Sequence, residues 1–190
     1  METAMLKYVM DYIRENYANE IEILEAEVPV INEIPCVTLL EAKEILGNKG
    51  SGNKLDLEPE DEVSICEYAK EEFDSDFIFV THFPSSKPPF YAMDSKEDPR
   101  LAYKFDLLFR GLEITSGGQR IHDYDEQVAK MKAQGLNPDD FKYYLEAHKY
   151  GLPPHGGLGI GLERLVMKII NAQNIRTCSM FPRDINRLLP

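Results

Sequence analysis

Two stretches of this chain place charged and hydroxyl side chains beside bare backbone. In the first, Asp106, Glu113, Ser116 and Arg120 surround Gly117 and Gly118. A carboxylate and a hydroxyl are oxygen ligands for a hard cation. A guanidinium grips a carboxylate or phosphate through two parallel hydrogen bonds. Glycine lets a ligand or another backbone come close. Together these groups suit a charged small molecule accompanied by a metal. The same residues also suit a surface hairpin with a glycine kink and a solvated salt bridge. In the second stretch, Gly159 and Gly161 lead through Leu162 and Glu163 to Arg164. Arg164 falls in the first turn of an expected helix, where the dipole disfavours a cation by about 0.3–1 kcal/mol. Free N–H groups, glycine and arginine form an anion site, most naturally for phosphate. The alternative is a close-packed turn with Arg164 paired to Glu163 or another carboxylate. The spacing is not the dinucleotide fingerprint, because Leu162 stands where a third glycine belongs. Residues 47–54 fail as a phosphate loop, because Asn53 and Lys54 follow Gly52 where Lys and Ser or Thr are required. Their composition reads as a mobile loop.

The elements that must position these groups can be read from periodicity. Tyr103, Phe105, Leu107 and Phe109 alternate as in a strand, and Arg110-Gly111 suits a two-residue hairpin turn. That turn pairs Phe109 with Leu112, Leu108 with Glu113, and Asp106 with Thr115. A bulge between Glu113 and Ser116 shifts the parity, so that Glu113, Ser116, Gly118 and Arg120 line one face. Leu162, Leu165, Val166, Ile169 and Ile170 recur as a buried helical stripe. Further helices are expected over residues 3–17 with a stripe of Met5, Tyr8, Val9, Tyr12 and Ile13; after Pro35, with the capping box Thr38-x-x-Glu41; and from Pro59 to about Phe73. Two more are capped by Asp123 and by Asn137-Pro138, the latter with Phe141, Tyr144, Leu145 and His148 inward and Gly151 as its stop. Residues 21–30 read as extended. Residues 77–83 read as a buried central strand with His82 packed in the sheet, 84–89 as a turn, 90–93 as a second short strand, and 175–181 as one more strand. Pattern alone gives an α+β fold with a mainly antiparallel sheet flanked by helices, in a single domain over residues 1–190.

Composition narrows the classes. The 190 residues are 43% hydrophobic, enough for a core, and carry a net charge of −12. An acidic chain is no general polyanion binder, so contact with RNA needs a local basic patch. Three cysteines without CxxC spacing, Cys36, Cys66 and Cys178, read as buried thiols in a reducing compartment. No signal peptide, repeat or membrane-length apolar run is visible, so a soluble cytoplasmic protein is expected.

The two stretches resemble the second half of a class II aminoacyl-tRNA synthetase catalytic domain, and within that class the archaeal and eukaryotic type of aspartate enzyme. Gly159-Ile-Gly-Leu-Glu-Arg-Leu-Val166 resembles motif 3, and residues 105–122 resemble the substrate strands of the aspartate branch. Pro89-Phe90-Tyr91 also looks like that branch. Phe181-Pro-Arg-Asp and Arg187-Leu-Leu-Pro190 look like its C-terminal end. The likeness is specific from about residue 77 onward and looser before.

The resemblance implies a partial class II catalytic core that activates L-aspartate with ATP and Mg²⁺ and transfers it to tRNA. Under it Glu113 and Ser116 would hold Mg²⁺, and Arg120 would hold the aspartate side-chain carboxylate, with Asp106 orienting a neighbour or the amine. Arg164 would meet the γ-phosphate, while Gly159, Gly161, Leu162 and Glu163 complete the ATP site. No side chain need act as a nucleophile. Motif 1, motif 2 and the N-terminal anticodon-binding barrel are not visible, so this chain alone is expected to have little or no aminoacylation activity. A homodimer could persist through other contacts. Two other readings remain open: a relative that activates aspartate without tRNA, as an asparagine synthetase does, or a non-catalytic binding module.

Overall fold

The computed structural model describes residues 1–87 and 89–189. Pro88 and Pro190, parts of the expected turn and C-terminal motif, lie outside the described residues. Five strands form one sheet in the order β1-β2-β3-β4-β5. They are β1 (Cys36–Thr38), β2 (Phe77–Pro84), β3 (Leu101–Phe109), β4 (Glu113–Arg120) and β5 (His155–Ile160). β1 runs parallel to β2, and all other neighbours are antiparallel. The mainly antiparallel α+β expectation therefore holds.

Helices cover both faces at one end of the sheet. On one side, α1 (Glu2–Asn16) and α7 (Leu162–Ile169) bring Leu6, Met10, Leu165 and Ile169 against Phe77, Leu107, Phe109 and Ile114. Phe77 and Phe109 stack with ring centroids 4.2 Å apart. On the other side, α3 (Leu39–Leu46) and α4 (Pro59–Phe73) pack Leu39, Ala42, Ile65 and Ala69 on Ile78, Val80 and Leu108. Both helices start where expected. Thr38 and Glu41 form a reciprocal capping box, and Pro59 opens α4 with acids in its first turn. α2 (Ala18–Leu24), α5 (Tyr124–Ala133) and α6 (Lys142–Lys149) complete the set. Asp123 caps α5 as expected. Asn137 caps a 3₁₀ turn, Pro138–Phe141, that runs into α6.

Several expectations are corrected. Of residues 21–30, expected to be extended, 21–24 belong to the helix Ala18–Leu24 and 26–30 form no strand. The buried stripe of α1 is Leu6 and Met10, while Met5, Tyr8 and Tyr12 are exposed. Residues 90–93 form no regular strand and join the sheet only by the bridges Ala92↔Arg120 and Asp94↔Ala102. Ile175–Cys178 is a 3₁₀ turn, not a strand. Of the cysteines only Cys66 is buried, its thiol pushed up to about 11 by burial, while Cys36 is exposed. Within 47–54, Gly47–Lys49 is a 3₁₀ turn, and Ser51 bonds the carboxylate of Asp61 through its N–H at 2.8 Å and its hydroxyl at 2.6 Å.

Candidate functional site

The β3–β4 hairpin turns at Arg110 (φ 48°) and Gly111 (φ 78°), the left-handed pair of a tight two-residue loop. Arg110 anchors it, donating to Asp76 Oδ1 at 3.2 Å and to the Lys168 carbonyl, near the end of α7, at 3.1 Å. Leu108 pairs with Glu113, and the next pair is Leu107 with Thr115, so Ile114 is the extra residue of a bulge. Asp106 consequently faces Ser116 rather than Thr115. The bulge puts Glu113, Ser116, Gly118 and Arg120 on one face, together with Asp106 and Lys104 from β3 and Gly157 and Gly159 from β5. The glycine-rich run before α7 is thus a strand paired with β4.

The end of this face beyond α3 and α4 is open. A cleft of about 310 Å³ is lined there by Tyr91, Lys104, Ser116, Arg120, Gly157 and Gly159 among others. The Arg120 guanidinium lies 4.2 Å from the Tyr91 ring centre. On its other side, a side chain at position 157 would stand 3.2 Å from Arg120 Nε, so Gly157 is what makes room. No carboxylate among the described residues pairs with Arg120, which leaves its donors facing the cleft. Tyr91 is itself held from behind. Gln127, fully buried on α5, donates to the Phe90 carbonyl at 2.8 Å, and Phe90 packs on Phe141 and Tyr144. Lys130 pins the same loop through Asp94 at 2.5 Å and the Ser85 hydroxyl at 2.6 Å.

Next to the cleft, Arg164 donates to the Glu113 carbonyl at 2.7 Å and lies 3.4 Å from its carboxylate. Its stem crosses Gly161, where a Cβ would stand 3.1 Å from Arg164 Cδ. Gly161 therefore serves arginine placement, whereas a Cβ at Gly159 would meet open space. Leu162 is exposed, against the expected stripe, and Glu163 is exposed beside it. Glu62, in the first turn of α4, accepts the Glu113 N–H at 2.9 Å. Burial, then Asp106, push the Glu113 carboxyl above its ordinary range, with Lys104 and Arg164 opposing. Burial also raises Glu62, opposed by the Glu113 N–H and Arg164. Asp106 pairs with Lys104 through one oxygen, while its other oxygen is buried without a partner. A crowd of carboxylates short of positive charge fits a cation. Glu113 and Ser116 offer it two oxygen ligands, though no group of three His, Cys, Asp or Glu among the described residues forms a ready metal cage.

The chain matches the family described as tRNA synthetases class II (D, K and N) over residues 1–185. It belongs to that family. An aspartate–tRNA(Asp/Asn) ligase of Thermus thermophilus is 46% identical over the whole chain, and an aspartate–tRNA(Asp) ligase of Pyrococcus furiosus 42% over 98% of it. The chain spans 45% and 43% of those two relatives, less than half their length. Among solved structures, an aspartyl tRNA synthetase from Entamoeba histolytica superposes with a TM-score of 0.93 at 32% identity, over all of this chain and 40% of that one. An asparaginyl-tRNA synthetase from Pyrococcus horikoshii complexed with asparaginyl-adenylate gives 0.87 at 31% identity, over all of this chain and 44% of that one. The sheet and its flanking helices are thus part of a class II synthetase core.

Proposed function

We infer that this chain carries the amino-acid and triphosphate side of an aspartate-activating site, within an aspartate–tRNA ligase acting in the cytoplasm. The observation that supports this most is Arg120: an arginine without a carboxylate partner among the described residues, fixed between Tyr91 and Gly157 at the edge of a small cleft. That geometry suits bidentate capture of a short side-chain carboxylate. Ser116 and Lys104 line the same cleft. L-Aspartate held there would turn its α-carboxylate toward the neighbouring Glu113–Arg164 pair. A carboxylate oxygen attacks the α-phosphorus of ATP, and the bond to pyrophosphate breaks, giving aspartyl-adenylate. The tRNA terminus then displaces AMP. Rate comes from positioning and charge stabilisation rather than from a side-chain nucleophile.

Glu113 and Ser116 would hold Mg²⁺, which neutralises triphosphate oxygens when bound. Arg164, free to swing from its partly exposed pair with Glu113, would meet the γ-phosphate. Gly159 leaves the nucleotide room. Asp106, paired with Lys104, would orient that lysine or the substrate amine. ATP, L-aspartate and tRNA are the partners of the complete ligase, and pairing into a homodimer is consistent with the class.

Calorimetry of the chain with L-aspartate, L-asparagine and L-glutamate tests this. Aspartate should bind at least about tenfold tighter than asparagine, as loss of one charge-assisted pair implies. That preference should vanish in Arg120→Ala. Equal binding of aspartate and asparagine, or a preference that survives Arg120→Ala, contradicts the assignment.

A further inference from the structure

A polar side chain sits behind the aspartate cleft without lining it. Gln127, on α5, is fully buried. A buried amide needs partners at both ends. Its Nε2 donates to the Phe90 carbonyl at 2.8 Å, and its Oε1 accepts the Tyr144 hydroxyl from α6 at 3.3 Å. A carbonyl can only accept, which fixes the amide this way round. The segment held in this way, residues 90–93, takes over where β3 ends its pairing with β4 at Lys104 and Gly118. Met93 donates to the Gln119 carbonyl at 2.9 Å, and Ile121 donates to the Tyr91 carbonyl at 3.0 Å, on either side of Arg120. This segment is no regular strand, so its place depends on such scattered bonds and on what packs behind it. An apolar residue could fill the space under Phe90. A satisfied polar bridge there specifies one arrangement where apolar packing tolerates several.

Tyr91 follows Phe90 directly, and its ring centre lies 4.2 Å from Arg120 Cζ. A shift of the Phe90 carbonyl is therefore a shift of the ring that fixes one side of the guanidinium. Bidentate capture of a carboxylate depends on that placement. We propose that Gln127 is a positioning residue for substrate selectivity. By holding the Phe90 carbonyl it sets the Tyr91 ring against Arg120, and so sharpens the preference for a side-chain carboxylate over the isosteric carboxamide. The proposal rests on the reading of Arg120 as the anchor of the aspartate side chain. The titratable and charged groups around this bridge are Tyr144 itself; His148, whose ring centre is 4.8 Å from that of Tyr144; Lys130, farther along α5 and tied to Asp94 and Ser85; and Tyr91 with Arg120 in front.

Two substitutions and one spectrum test it. Gln127→Leu keeps the bulk and removes both bonds. By calorimetry L-aspartate should bind about fivefold weaker or more, while L-asparagine and Mg²⁺–ATP stay within about twofold. Gln127→Glu gives a readout that simple loosening of the fold would not. A buried carboxyl resists ionisation. At about pH 5.5 its O–H replaces the amide as donor to Phe90, and at about pH 8.5 the ionised form has no donor. Its aspartate affinity, divided by that of the unsubstituted chain at the same pH to cancel His148 and the acids of the site, should fall at least about threefold from the lower pH to the higher. The spectrum needs no ligand. The Tyr91 ring shifts the Arg120 Nε–H resonance of the isotope-labelled chain, so Gln127→Leu should move that signal toward its position in Tyr91→Leu. Equal weakening of all three ligands, an unmoved Arg120 signal, or a Gln127→Glu ratio that is flat in pH overturns the proposal. If Gln127→Leu misfolds by circular dichroism, the Gln127→Glu series decides. Arg120→Ala separates the two readings. A preference for aspartate that survives Arg120→Ala sinks the aspartate reading and this one with it. A preference lost in Arg120→Ala but kept in Gln127→Leu sinks the role of Gln127 alone.

Discussion

Gly157→Ala asks whether Arg120 works by its exact placement. The added methyl would stand 3.2 Å from Nε, 3.3 Å from Nη2 and 3.7 Å from Cζ of Arg120. Ordinary carbon–nitrogen contact needs a few tenths of an ångström more, so the guanidinium must yield. It cannot move far the other way, because the Tyr91 ring centre lies 4.2 Å from Cζ. It therefore slides or tilts in its plane, and one of its two bonds to a bound carboxylate lengthens. A charge-assisted hydrogen bond contributes about 1.5–3 kcal/mol. Losing about half to all of one bond weakens aspartate by roughly 4- to 150-fold. Mg²⁺–ATP, whose expected contacts are Glu113, Ser116 and Arg164, should change by less than about twofold. Replacing glycine in a strand with alanine should alter stability by less than about 1 kcal/mol, so the effect is not misfolding. Calorimetry for each ligand, with thermal melts as the control, gives all three numbers. Unchanged aspartate affinity in Gly157→Ala, or equal weakening of both ligands, would show that Arg120 does not read the side-chain carboxylate.

Other outcomes follow from the same coordinates. Asp61 is buried, yet bonds from Lys43 at 2.7 Å, from the Ser51 hydroxyl and N–H, and from the Glu58 N–H outweigh that burial and hold its carboxyl well below the usual range. Its stabilisation is present above the unfolded value of about 3.9 and is lost as pH falls toward the folded one. Asp61→Asn should cost about 2–4 kcal/mol at pH 7, lowering Tm by roughly 4–16 °C; a calorimetric scan within 1 °C of the unsubstituted chain contradicts this. Because burial and neighbouring acids raise Glu113 and Glu62, Mg²⁺-dependent ATP binding should fade on acidification with a midpoint above that of an ordinary glutamate, about 4.3. Glu113→Gln should remove both the Mg²⁺ dependence and that pH dependence, as a calorimetric pH series would show. Phe109→Ala, which empties half of the stacked pair with Phe77, should cost about 3–5 kcal/mol in denaturant unfolding. Hydrogen exchange over residues 47–54 should be fast except near Ser51, which is tied to Asp61; uniform protection across the loop would refute its mobility.

The parts of the fold that announced themselves were those with local signals. The Thr38–Glu41 box, Pro59 with its acids, and Arg110-Gly111 each satisfy orphan groups or special dihedrals within a few residues, so sequence alone located them. The parity shift at the bulge was readable because it alone unites Glu113, Ser116 and Arg120. The residue that carries it, Ile114, was not, and the Asp106 register came out one place off. β5 was hidden because His155-Gly-Gly-Leu-Gly-Ile160 has almost no strand propensity; it is a strand only because β4 lies beside it. On α1, two stripes share the helical period, and contact with Phe77 and Leu107 selects Leu6 and Met10 over Tyr8 and Tyr12. Glu62 and Lys104 carry no local signal of a site, because each has an ordinary local role, as helix-start acid or strand cation. Their place in the site arises from contacts across the sheet, such as the 2.9 Å bond from Glu113 to Glu62.

The central claim is that one face of this sheet holds aspartate and magnesium–triphosphate side by side. A crystal structure of the chain with L-aspartate, Mg²⁺ and a non-hydrolysable ATP analogue tests it most directly. The account predicts the aspartate side-chain carboxylate bidentate on Arg120, Mg²⁺ on Glu113 and Ser116, and Arg164 turned from Glu113 to a phosphate. Ligands bound elsewhere, or Arg120 and Glu113 left facing solvent in the occupied protein, would contradict it.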